Sequence, residues 1–139
     1  MLSILSAQFT LKDSEDGKIL MNFTSVDVSF ESRGEYTKFV LSNGGTTTDY
    51  GHPELPLFST LVQIEPDKEY DVSFSVLSSH IISDIKVFPF QDKDKTEDFG
   101  VIKFMDELLY EGEAVYPEFM LQISDRLVMR DLNLLNISV

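Results

Sequence analysis

The sequence predicts an all-β protein: an antiparallel β-sandwich or jelly-roll-like body with at most one short helix near residues 103–110. Three observations carry this expectation. Apolar and polar residues alternate along much of the chain, the period of a half-buried strand. The composition is rich in strand-favouring aromatics, with 11 Phe and 5 Tyr although no Trp. Two long alternating stretches change parity part-way, as strands do when they pass from one sheet to another, which favours a sandwich over a barrel with a clean interior.

Taken in order, Met1–Ala7 is faintly like the end of a signal peptide, but it lacks a basic start and is too short. Met1 therefore reads as a start supplied for expression of a trimmed chain. Ala7, Phe9 and Leu11 alternate with Gln8 and Thr10 as a first strand, and Asp13–Gly17 is a polar turn. Ile19, Met21 and Phe23 share one parity and Val26, Val28 and Phe30 the other, so a bulge near Thr24–Ser25 or a passage between sheets is expected. Glu31–Gly34 turns the chain, Tyr36–Leu41 is a short strand, and Ser42–Gly45 breaks it.

The stretch Gly51–Val76 organises the rest. Pro53 and Pro56 fix their own φ and push the residues before them out of the helical region, giving a stiff extended approach. Phe58, Val62 and Ile64, with Thr60 among them, then fall on one side of a strand. Pro66-Asp67-Lys68 is a turn, and Tyr70, Val72, Phe74 and Val76 alternate with Asp71, Ser73 and Ser75 as the next strand. Ile81–Val87 reads as a further strand, ended by Pro89. Gln91–Asp98 is the most charged run, without an apolar residue, and is expected to be an exposed loop. Within Lys103–Tyr110 the pairs Phe104/Leu108 and Met105/Leu109 have helical spacing. Phe119, Leu121 and Ile123 alternate after Tyr116-Pro117. A last strand from Arg126 or Leu127 to Val139 changes face, and it stops inside an apolar alternation, so the polypeptide is expected to continue.

Length and composition narrow the function. The 139 residues fit one domain, 1–139, with a core of its own. With 24 acidic and 11 basic residues the net charge is −13, the wrong sign for binding nucleic acid or an anionic membrane surface. The acidity serves solubility or complements a basic partner. The absence of cysteine excludes disulfides, thiolate metal sites and a cysteine nucleophile in this chain. No stretch is apolar for the roughly 18 residues that a membrane helix needs. The only imidazoles, His52 and His80, stand in no catalytic motif, and Ser78, His80 and Asp84 are too close in sequence to read as a triad. Asp92, Asp94, Thr96 and Asp98 alternate like calcium ligands, but Glu97 stands where the calcium loop needs glycine, so the run reads as a solvated loop. No cofactor or metal is expected, and the chain is not expected to be an enzyme.

Two blocks carry a resemblance. The first is Gly51-x-Pro53-x-Leu55-Pro56 followed by its apolar strand. The second is Tyr116-Pro117, the alternating Phe119–Ser124, the step Leu127-Val128-Met129-Arg130 and the apolar Leu132–Val139. In this order and separation they resemble the propeptide of gingipain-type cysteine peptidases, secreted by Bacteroidetes-type bacteria; Asp131 departs from the small residue usual after the arginine. The resemblance implies a non-catalytic prodomain, part of a longer precursor. It would cover the cleft of its cognate cysteine peptidase, keep it latent, assist its folding, and leave the cell by way of the periplasm. Because such enzymes cleave after basic residues, it further implies that Lys93 and Lys95, in the longest polar loop, are candidates for the specificity pocket. The alternative is a secreted β-sandwich module binding carbohydrate or protein, for which Tyr36, Tyr50 or Tyr110 would have to supply exposed rings.

Overall fold

The computed structural model describes residues 9–15, 17–24, 28–42, 44–79, 81–92 and 101–139. Its architecture is antiparallel and all-β, as the alternation predicts. Strand β1 (Phe9–Glu15) pairs with β2 (Lys18–Phe23) in a hairpin whose register shifts between Leu11 and Asp13. Strand β3 (Val28–Arg33) pairs with β4 (Tyr36–Leu41) in a second hairpin, turned at Gly34 with φ 66°. The parity change between Phe23 and Val28 therefore marks the passage from one sheet to another. Ser25, the other half of the expected bulge, lies outside the described residues.

A short pair, β5 (Gly45–Thr46) with β6 (Pro56–Leu57), follows. The largest sheet holds β7 (Ser59–Ile64), β8 (Gln122–Ile123), β9 (Leu127–Met129) and β10 (Leu132–Ser138). Strand β10 is its spine, paired with β7 along one edge and with β8 and β9 along the other. The parity reading of β7 holds. Phe58 and Ile64 are buried and Thr60 and Val62 half-buried, while Ser59, Leu61 and Gln63 face outward. On β10, Ile137 is buried opposite Thr60, while Leu134, opposite Gln63, is buried on the other face.

Two expected strands fail, for a shared reason. Tyr70–Val76 has the right alternation but forms no strand among the described residues, and Ile81–Val87 contributes only the bridge of Val87 to Thr37. A strand needs a partner ladder as well as a pattern. The turn that would fold Tyr70–Val76 back on β7 is held otherwise. The Arg126 guanidinium donates to the carbonyl oxygens of Pro66 and Lys68, and the Tyr70 hydroxyl donates to Glu65 O at 2.7 Å. The expected single last strand is also corrected. Its change of face is a tight hairpin, β9 to β10, that pairs Met129 with Leu132 and puts Arg130 at φ 56°. The expected helix is one turn, α1 (Glu107–Tyr110), started by Asp106, whose carboxylate accepts from Leu108 N at 3.0 Å and Leu109 N at 3.4 Å.

The proline-led approach lies at the centre. Glu54 N donates to Phe88 O at 2.9 Å, and Phe88 N donates to Thr37 O at 2.9 Å, tying three segments side by side. Thr47 mimics a strand partner on the other side: its hydroxyl donates to Pro53 O and accepts from Leu55 N, both at 2.9 Å. The Glu54 side chain is buried there, yet it is matched by Lys38 Nζ at 3.1 Å and the Thr46 hydroxyl at 3.2 Å. A carboxylate this far from water is tolerable only when paired in this way.

An aromatic group closes this end. Tyr36 meets Phe88 and Tyr110 edge-on, and the Tyr110 hydroxyl donates to Val87 O at 2.6 Å. Burial, and after it the neighbouring Tyr36, hold the Tyr110 phenol well above the ordinary tyrosine value. The fold thus favours the neutral phenol, whereas an unfolded phenol ionises near pH ~10. The resulting stabilisation is present below that pH and is lost as pH rises toward the folded value. Thermal melts of the parent are therefore expected to drop steeply above about pH 10. Tyr110→Phe should cost about 1 kcal/mol at neutral pH and flatten the alkaline drop. Identical pH slopes for the two proteins would contradict this assignment.

Candidate functional site: the base of the charged loop

The described residues that flank the charged run are Pro89–Asp92 before it and Lys103–Asp106 after it. Lys93 and Lys95 themselves lie outside the described residues, as does His80. Gly51 lies between these two flanking segments. Its N–H donates to Phe90 O at 2.9 Å on the outgoing arm, and its carbonyl accepts from Asp106 N at 3.0 Å on the returning arm. This places Gly51 at φ 80°, a conformation open to glycine, with the Phe104 ring lying where a side chain would begin. Phe104 in turn stacks on Tyr50, centroids 5.3 Å apart and planes within 17°.

A second rung is made by a side chain. Gln91 Nε2 donates to Phe104 O at 2.8 Å, to Phe90 O at 3.0 Å and, more weakly, to Pro89 O at 3.3 Å. Gln91 Oε1 accepts from Lys103 N at 2.9 Å and Phe104 N at 3.3 Å. The carboxamide thus stands in for a strand peptide between two stretches of main chain.

Beside this base, His52 Nε2 lies 3.4 Å from Asp106 Oδ2, the carboxylate that also starts α1. The Tyr116 ring meets His52 edge-on, and its hydroxyl donates to Asp49 Oδ2 at 2.7 Å. Burial is the main cause that raises the Tyr116 phenol above its ordinary value. His52 Nδ1 is buried and has no partner among the described residues. No serine or other nucleophile within the described residues hydrogen-bonds this imidazole, so the contact with Asp106 lacks the third member that nucleophilic catalysis requires. An open hollow runs beside α1, lined by apolar Phe104, Met105 and Leu108 and by acidic Asp106, Glu107 and Glu111 among others.

Compared with solved structures, the chain superimposes on a chain from work on the zymogenic latency of gingipain K from Porphyromonas gingivalis. The TM-score is 0.72 over 99% of this chain and 82% of that one, at 14% sequence identity. This protein has the fold of that chain. The likeness agrees with the resemblance of Gly51–Val76 and Tyr110–Val139 to a gingipain-type propeptide, reached from residue order alone. No family model and no curated protein matches the sequence.

The sequence pointed to the run beginning at Gln91 but missed the parts that hold its base. Gly51 was noticed as the start of the proline-led motif, and its position between the two arms was not foreseen. Gln91 carried one usable signal: it is the uncharged residue at the head of a charged run, and a carboxylate there would face carbonyl oxygens. The three tyrosines named for a sugar-binding face turn out to be engaged. Tyr36 and Tyr110 sit against each other and Tyr50 against Phe104, all half-buried.

Proposed function

We propose that this chain is a non-catalytic prodomain that keeps a gingipain-type cysteine peptidase latent and assists its folding. The observation that carries the reading is the fold shared over nearly the whole chain with a chain from the gingipain K latency structure. The order of the Gly51–Val76 and Tyr110–Val139 motifs supports it independently. The chain has no cysteine, so a cysteine peptidase's nucleophile has to come from its partner. On this reading the partner is the cognate catalytic domain, and the protein is exported with it through the periplasm to the cell surface or medium. The single domain 1–139 belongs to a longer precursor.

The charged loop is the segment we assign to the enzyme's cleft, with Lys93 and Lys95 offered to a pocket that prefers basic side chains. Its base supports the role: both arms are hydrogen-bonded to Gly51 and to each other through Gln91. An insert with a fixed base loses less conformational freedom on docking. Joint replacement Lys93→Ala with Lys95→Ala is expected to weaken inhibition of the cognate peptidase at least ten-fold, about the worth of one charge-assisted contact, with the melting temperature unchanged. If the double variant inhibits as strongly as the parent, these lysines are not the plug. The chaperone half is tested by refolding the denatured catalytic domain with and without the chain; equal recovery of active enzyme argues against it.

A further inference from the structure

Between β7 and Phe88 the chain carries a strand pattern that the fold does not use. Tyr70, Val72, Phe74 and Val76 alternate with Asp71, Ser73 and Ser75. Yet among the described residues no main-chain N–H or C=O from Glu69 to Ile85 pairs with other main chain. The apolar side chains also stay open to solvent: Phe74 is 42% exposed, Val76 54% and Leu77 84%. From Tyr70 to Ser79 there is no lysine and no proline, two of the devices that blunt an exposed strand against pairing. We propose that Tyr70–Val76 is a docking strand, which completes its ladder on an open sheet edge of the peptidase domain. The proposal rests on the prodomain reading above and adds to it a contact surface apart from the charged loop.

The turn before the segment keeps it on display. Arg126 donates to the carbonyl oxygens of Pro66 and Lys68, Lys68 Nζ meets the Glu65 carboxylate at 2.8 Å, and the Tyr70 hydroxyl donates to Glu65 O at 2.7 Å. With the turn held so, the chain leaves β7 without pairing to it. A row of open N–H and C=O groups is satisfied by water or by another extended main chain. A contact that buries Phe74 and Val76 expels the water and leaves the second choice. The partner therefore has to offer a strand edge, with apolar side chains that meet these two across the ladder. Charge narrows it further. Asp67, Glu69 and Asp71 stand at the start of the segment, and Lys68 among them is already matched by Glu65. The complementary edge is thus basic at that end. A second copy of this chain fits poorly, because each copy carries a net charge of −13 and the two repel.

The test is hydrogen exchange at the amides of Asp71–Val76, in the chain alone and in its complex with a gingipain-type peptidase, together with inhibition by Phe74→Ser. In the chain alone these amides should exchange near the rate of an unstructured peptide. In the complex every second amide should slow by at least about a hundred-fold, the period of a strand bonded along one edge. Phe74→Ser should inhibit about ten-fold less tightly, the scale of one apolar side chain lost from a contact. Slow exchange in the chain alone overturns the proposal, since the segment would already be paired; if that protection grows with chain concentration, the occupant is a second copy. Exchange at Asp71–Val76 that is unchanged in an inhibited complex, or slowed at consecutive amides without alternation, overturns the docking strand and leaves the prodomain reading intact. Parent-like inhibition by Phe74→Ser does the same. If the parent neither binds nor inhibits the peptidase, the prodomain reading falls and the docking strand falls with it.

Discussion

Phe58→Ala is expected to destabilise the fold by about 3–5 kcal/mol, the range for emptying a buried phenylalanine site. The ring is 4% exposed and meets Phe23 of β2 with centroids 5.0 Å apart. Leu41 and Phe58 also converge over Gly44, 3.5 and 3.4 Å from where a side chain there would begin, which is ordinary van der Waals contact. Phe58 thus joins the first hairpin, the Gly44 turn and the large sheet. Its main chain is fixed as well, exchanging both hydrogen bonds with Val139 at 2.8 and 2.9 Å. The ring therefore cannot follow its neighbours into the space left behind. With total stabilities of about 5–15 kcal/mol, such a loss is a large part of the whole. It should appear as a fall in melting temperature of roughly 10 °C or more. A denaturant midpoint shifted by the equivalent of less than about 1 kcal/mol, the scale of an ordinary surface change, would remove Phe58 from the core.

Gly51→Ala is expected to cost about 2–3 kcal/mol, from two sources that a control separates. An L-residue held at φ 80° is strained by roughly 1–2 kcal/mol. The added methyl also overlaps the Phe104 ring, which has to swing off Tyr50 to make room. Gly34 has a similar φ of 66° with nothing within 4 Å of the added carbon, so Gly34→Ala reports the backbone share alone. The difference between the two variants in chemical denaturation measures the Phe104 overlap. Equal costs at the two sites would mean that Phe104 does not lie over Gly51. Because Gly51 bonds to Phe90 and Asp106 at once, its variant should also loosen the charged loop, which Gly34→Ala should not do.

How much of this was legible beforehand follows from the range of the interactions. The burial of Phe58 and Ile64, the single helical turn after Lys103 and the change of sheet after Phe23 were readable, because each depends on residues a few positions apart. Tyr70–Val76 misled because alternation states what a strand would bury and says nothing about whether an edge is presented to it. The β9–β10 turn was missed since Arg130 and Asp131 lack the Asn-Gly type of signal that tight hairpins usually carry. The loop base was the least legible part. Gly51, Gln91 and Phe104 are brought together by the packing of Phe88 and Pro89 against the proline-led segment. No local pattern announces a side chain that pairs with main chain across a loop.

The proposed role, blocking a gingipain-type peptidase, is tested most directly by titrating such a peptidase, the proposed cognate partner, against the isolated chain. Hydrolysis of a lysine- or arginine-ester substrate is expected to fall in proportion to added chain and to vanish near equimolar amounts. Full activity in the presence of a large excess of the folded chain would contradict it.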